Sequence, residues 1–238
     1  LSINGPMGRD SINYSITKGE QTISEKAYIT IAAAADFRLE EKKSVFLAAA
    51  GRVTSEQEAQ AFLQGEKHRY PDAGHHVYAW IIGGEAEQRL QRFSDDGEPQ
   101  GTAGPPVLDV LAKANIVDTI IVVSRYFGGT LLGTGGLVKA YGSAASAVIA
   151  AAGLCAMVPG RRYTLRFPYR FVDIMQYQLG LAGVEIEEKS FSADVTFDCL
   201  VELTEEAAFL QSIENHTQGQ ARAAKGEVAF LPKEIKED

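Results

Sequence analysis

Ile120-Ile121-Val122-Val123 is an unbroken β-branched run that leads straight into Ser124-Arg125-Tyr126-Phe127-Gly128-Gly129-Thr130-Leu131-Leu132-Gly133-Thr134-Gly135-Gly136. A strand that is apolar at successive positions has no water-facing side, so other elements must cover both of its faces. Beyond the glycines, Leu137, Val138, Tyr141, Ala144, Ala145, Val148 and Ile149 recur at helical spacing up to Gly153. The small residues 142–145 let that helix lie close on a sheet. Strand, glycine-rich loop and helix together present free backbone N–H groups to an anion. The loop has no GK[ST] and no G-x-G-x-x-G spacing, which excludes a Walker loop and a dinucleotide fingerprint. Gly128, Gly129, Gly133, Gly135 and Gly136 therefore read either as an anion cradle charged by Arg125 and Lys139, or as turn and packing residues.

Upstream, Ser55-Glu56-Gln57-Glu58 is a capping box opening a helix with Ala59, Phe62 and Leu63 inward. Residues 77–82 predict a strand and residues 90–93 its hairpin partner. The following segment, 94–106, combines turn residues with three carboxylates, Asp95, Asp96 and Glu98, and then Thr102 as the cap of a helix with prolines in its first turn. Val107, Leu108, Val110 and Leu111 form that helix's apolar stripe. The carboxylates lack calcium-loop spacing and read as a solvated turn. His75 and His76 are adjacent on a strand, so their side chains diverge and do not share a metal. His75 is a candidate site residue and His76 an incidental one.

After residue 160 the pattern changes. Tyr163, Leu165 and Phe167 alternate with polar residues, and Phe171, Ile174, Met175, Leu179 and Ala182 take helical spacing ending at Gly183. Val184 and Ile186 start a second strand, and residues 191–201 alternate as a long third one. Thr204 is placed to cap a helix with Phe209, Leu210 and Ile213 as core, and residues 228–231 close a fourth strand. The order β-α-β-β-α-β is the split βαβ, or ferredoxin-like, plan. Its outward positions, Arg162, Arg166, Glu185, Glu187, Asp194, Thr196 and Asp198, lack the aromatic platform of an RNA-recognition sheet. They predict a protein-docking or solvated face.

Charge sharpens the choice of partner. Of the 238 residues, 23 are Lys or Arg and 31 are Asp or Glu; residues 1–158 carry 14 basic and 17 acidic groups, and residues 159–238 carry 9 and 14. Neither half is a polycation, so contact with nucleic acid must come from a local patch. No stretch reaches the roughly 18 apolar residues of a membrane span. Cys155 and Cys199 form no CxxC pair and read as buried hydrophobes in a reducing cytoplasm. Residues 1–22 show no periodicity and read as a tail, with Met7 a candidate start; residues 233–238 read as a solvated charged end. No nucleophile elbow is present, and neither cofactor nor metal is implied.

The runs SDDGEPQGTAGPPVL (94–108) and VVSRYFGGTLLGTGGLVKAYGSAA (122–145) resemble the signatures of the IMPACT family, as do Lys43-Ser44 with Phe46 and Asp72-Ala73-Gly74-His75. Val45 and Val77 depart from the residues usual there. The resemblance implies an α+β chain of the bacterial two-domain kind: a domain similar to domain two of ribosomal protein S5 at about 25–157, and a ferredoxin-like domain at about 161–232 resembling the C-terminal domain of elongation factor G. Eukaryotic members regulate translation through an additional N-terminal module, and their partner interaction is not carried over. The expectation is a cytoplasmic binding protein linked to translation, contacting RNA, the ribosome or translation factors. Its expected contact surface comprises His75, Asp95, Asp96, Glu98, Thr102, Arg125, Tyr126, Phe127, the loop glycines and Lys139, with Arg125 and Lys139 on phosphate and Tyr126 or Phe127 stacked on a base. Two alternatives stand beside it: an enzyme acting on a small phosphorylated substrate, with Asp95 or Asp96 holding Mg²⁺, and a protein-docking module. The oligomeric state is not legible.

Overall fold

A computed structural model describes residues 26–84 and 88–235; the 1–22 tail segment lies outside them. The chain is mixed α+β, in the order β1 (Tyr28–Ile31), β2 (Ala35–Glu41), β3 (Ser44–Arg52), α1 (Glu56–Arg69), β4 (His75–Ile82), β5 (Leu90–Ser94), α2 (Gly104–Lys113), β6 (Thr119–Tyr126) and α3 (Gly133–Ala152). There follow β7 (Leu154–Phe167), α4 (Val172–Leu181), β8 (Glu185–Phe191), β9 (Val195–Glu202), α5 (Glu206–Thr217) and β10 (Arg222–Glu234).

The first sheet runs β2-β3-β6-β4-β5, antiparallel throughout, with β6 at its centre. Its β-branched run is covered on both sides. Ile121 and Val123 join Phe46, Ala48, Val77 and Ala79 beneath α2 and α3, while Ile120 and Val122 join Trp80 and Ile82 against Ala59 and Leu63 of α1. Antiparallel sheets commonly leave one face to water; here helices on opposite faces remove that option. The capping box opens α1: Ser55 Oγ accepts from the Glu58 N–H at 3.2 Å, and the Glu58 carboxylate accepts from the Thr54 N–H at 2.7 Å.

The second sheet runs β1-β7-β9-β8, with β10 along the other side of β7. β7 passes through residues 158–161 without interruption. Its early residues Cys155 and Met157 belong to the first core, and Tyr163, Leu165 and Phe167 to a second core with Met175, Leu179, Phe197, Phe209 and Ile213. Gly183, at φ 65°, follows α4 as a left-handed stop.

Several expectations are corrected. The strand expected at 191–201 starts later: Phe191 closes β8, the strand expected from Val184, the Ser192 N–H bonds the Asp194 carbonyl at 3.1 Å, and β9 begins only at Val195. The alternation stays in phase through this short turn, so periodicity alone does not reveal it. Thr204 lies inside a 3₁₀ turn (Leu203–Glu205) and makes no cap, and Leu210 is exposed while Phe209 and Ile213 carry the contact. The last strand extends over Arg222–Glu234, so Lys233, expected in a solvated end, is instead paired with Glu202 on the neighbouring strands. Among the described residues, no helix is long and apolar enough to cross a membrane.

Candidate functional site

Three strands of the first sheet end at one place. Ser44 opens β3, His75 opens β4 and Arg125 lies near the close of β6; the register sets Arg125 opposite Phe46 on one side and His75 on the other. All three side chains share the face beneath α3. There Arg125 Nη1 donates to Glu98 Oε1 at 2.6 Å, Tyr141 Oη donates to the same oxygen at 2.7 Å, and His75 Nε2 stands 3.9 Å from it. The Glu98 and Arg125 side chains are only 3% and 7% exposed. Arg125 Nη2 also donates to Ser44 Oγ at 3.3 Å, which accepts the Gly128 N–H at 3.2 Å. Burial, followed by the Glu98 carboxylate, holds the Tyr141 phenol protonated well above its ordinary range. Arg125 Nη1 and Nη2 are both hydrogen-bonded, while its buried Nε has no partner among the described residues. The buried charge pair ties the 94–104 turn, β3, β6, α3 and the glycine loop together.

Arg125, expected as a phosphate donor, is thus committed to Glu98 and Ser44. Its guanidinium lies 5.5 Å from the Phe46 ring and 5.8 Å from the Phe127 ring. The carboxylates expected in a solvated turn are structural as well. Asp95 accepts from the N–H groups of Gly101, Ala103 and Gly104 at 2.8, 3.0 and 2.8 Å. It thereby caps α2 in place of Thr102, whose Oγ1 donates to the Pro99 carbonyl at 2.6 Å. Asp96, at φ 45°, accepts the His76 N–H on its carboxylate at 2.6 Å, and its carbonyl contacts His75 Nδ1 at 2.8 Å. Both carboxylate oxygens of Asp95, and Oδ2 of Asp96, are therefore engaged by backbone N–H groups. His76 is not incidental: it points to the opposite face, buried, with Nδ1 2.9 Å from Ser124 Oγ, and burial lowers its basicity.

The loop glycines divide by cause. A Cβ on Gly128 would run into the Lys43 carbonyl and the Ser44 nitrogen, so the loop closes on the β2–β3 turn only because this residue lacks one. Gly129 and Gly133 adopt φ 81° and 73°. Gly135 has open space around it, and a Cβ on Gly136 would press on Leu132 at 3.0 Å. What the loop offers outward is Phe127, 59% exposed, and Leu131, 84% exposed; Tyr126 is half-buried. Beside them stand exposed Lys42 and Lys43, at φ 46° and 66° in the β2–β3 turn, and exposed Lys139 on α3. Among the described residues, none of these three lysines has an ion-pair partner. A cleft of about 100 Å³ opens between β2 and α3, lined by Leu39, Glu41, Lys42, Leu132, Lys139 and Ser143 among others.

Sequence reasoning underrated Ser44, which entered only through a motif, and Tyr141, which entered only as a core residue. It missed Lys42. The available signal was a phenol hydroxyl on an otherwise alanine-rich stripe, since a buried tyrosine hydroxyl needs a partner.

A family model described as the Impact N-terminal domain matches residues 42–149, a span that includes Ser44, His75, Glu98, Arg125 and Tyr141. The chain is 35% identical over 209 residues to the IMPACT family member YvyE of Bacillus subtilis (strain 168), covering 88% of this chain and 95% of that protein. The chain belongs to the IMPACT family. It is also 34% identical over 178 residues to the IMPACT family member YigZ of Escherichia coli (strain K12), covering 75% of this chain and 87% of the relative. A crystal structure described as that of a hypothetical protein aligns with a TM-score of 0.56 at 31% identity, over 89% of this chain and 98% of that one. Family likeness therefore extends past the matched domain into the second sheet.

Proposed function

We propose that this IMPACT family member is a cytoplasmic, translation-linked binding protein that contacts single-stranded ribosomal RNA through the loop surface of its first sheet. The observation that carries the reading is the pairing of exposed Phe127 and Leu131, on a loop anchored from beneath by a buried ion pair, with Lys42 and Lys43 of the β2–β3 turn and Lys139 of α3, which have no ion-pair partner among the described residues. Aromatic side chains stack on bases and lysines track phosphates, without needing a basic protein overall. Supporting the architecture, the strand order β10-β7-β9-β8 with α4 and α5 in the crossovers fits a ferredoxin-like unit over 161–232. The S5-domain-two-like assignment for 25–157 rests on the family.

Co-sedimentation with ribosomes and anisotropy with single-stranded RNA test the reading. The variant K42A/K43A/K139A should bind at least about tenfold more weakly, with a flatter salt dependence by about 2 in log–log slope. F127A should weaken binding by roughly 1–3 kcal/mol. Binding of both variants at the parent's affinity would overturn the assignment.

A further inference from the structure

We propose that the cleft between β2 and α3 seats one internal phosphodiester of the bound strand, an inference that rests on the RNA-binding reading above. The cleft runs along the flank of α3, not at its tip, so its chemistry comes from side chains. At about 100 Å³ it holds a few waters and no nucleoside. Lys42 and Lys139 reach it from two different elements, and Ser143 adds a hydroxyl. A lysine acts on phosphate as a point charge, and Leu39 and Leu132 give the cleft an apolar wall beside those charges.

Glu41 decides which phosphate. Two lysines and one carboxylate leave one net positive charge around the cleft. A phosphodiester carries one negative charge and matches it. A terminal monoester carries roughly −1.5 to −2 near neutral pH, which would bring its additional charge against Glu41. The seat therefore favours the interior of a strand over its end, and the loop that carries exposed Phe127 and Leu131 runs into the cleft at Leu132.

The test uses fluorescence anisotropy with a short single-stranded RNA carrying either a 5′-hydroxyl or a 5′-phosphate. The parent should bind the two forms equally. Ser143→Leu, which fills the cleft from an exposed helix position, should weaken both by about tenfold while leaving the thermal midpoint unchanged. Glu41→Gln should strengthen binding and create a preference for the 5′-phosphorylated form. If Ser143→Leu binds as the parent does while F127A and Lys43→Ala still weaken binding, the seat is wrong and the RNA surface stands. A parent preference for the 5′-phosphorylated strand would overturn the diester assignment. No RNA binding by the parent at all would overturn both.

Discussion

Two arginine–carboxylate sites in this chain use the same chemistry to opposite ends. Arg125 and Glu98 meet at 2.6 Å with 7% and 3% of their side chains exposed, enclosed by Phe46, Tyr141 and His75. On the open face of the second sheet, Arg162 meets Glu187 at 2.9 Å and Glu227 at 2.6 Å, and Arg166 meets Asp194 at 2.9 Å; their side chains are 31–72% exposed. The first pair has given up its hydration and depends on the contact. The second keeps water as an alternative partner, so its ion pairs add little stability, and the carboxylates beside Arg162 and Arg166 leave that face poorly suited to a phosphate backbone. Depth, and not pairing, decides which site organises the molecule.

The largest way to break the contrast is Glu98→Ala, which strands a buried guanidinium and a buried phenol. It should cost about 3–5 kcal/mol in urea denaturation and disorder the loop enough to weaken RNA binding. A loss near zero would mean that the pair is not buried in solution. Asp95→Ala, which frees three N–H groups at the start of α2, should cost about 1–2 kcal/mol. Thr102→Ala should cost distinctly less, because its hydroxyl only satisfies a carbonyl. The pH arm concerns His76. Burial lowers its folded-state pKa below the ordinary value of about 6.5. The unfolded chain therefore takes up the proton first, and the stability contributed above about pH 6.5 is lost as pH falls through the folded value. Thermal midpoints across this range should decline, and His76→Gln should flatten part of the decline. Smallest is Arg162→Ala, expected within about 0.5 kcal/mol and without effect on RNA binding. A loss of 2 kcal/mol there would erase the distinction between the two sites.

Much of the fold is legible in the sequence because its signals are local. Ser55 and Glu58 are three residues apart, Gly153 ends α3, and the β-branched run of β6 demands cover on both faces. The turn between β8 and β9 was hidden because a three-residue break preserved the alternation. The site was harder. The sequence singles out His75, Glu98 and Arg125, which the fold brings together, but Arg125 and the three carboxylates take roles set by contacts far along the chain: Glu98 meets Arg125 across 27 positions and Tyr141 across 43. No spacing rule reports such pairs, and a free arginine on a strand end reads the same as a buried one.

The sequence alone determines the helices and most strands from residue 55 onward, the bend of the glycine loop at Gly129 and Gly133, and the family, since each rests on neighbouring residues or on continuous motifs, whereas β1, β2 and β3 emerge only in the fold. Tertiary structure alone decides which charges remain available. Packing α3 over β3 and the end of β6 buries Arg125 with Glu98 and leaves Lys42, Lys43 and Lys139 outside. An ionised group taken out of water must find a counter-charge in the fold, whereas one left in water stays open to a partner.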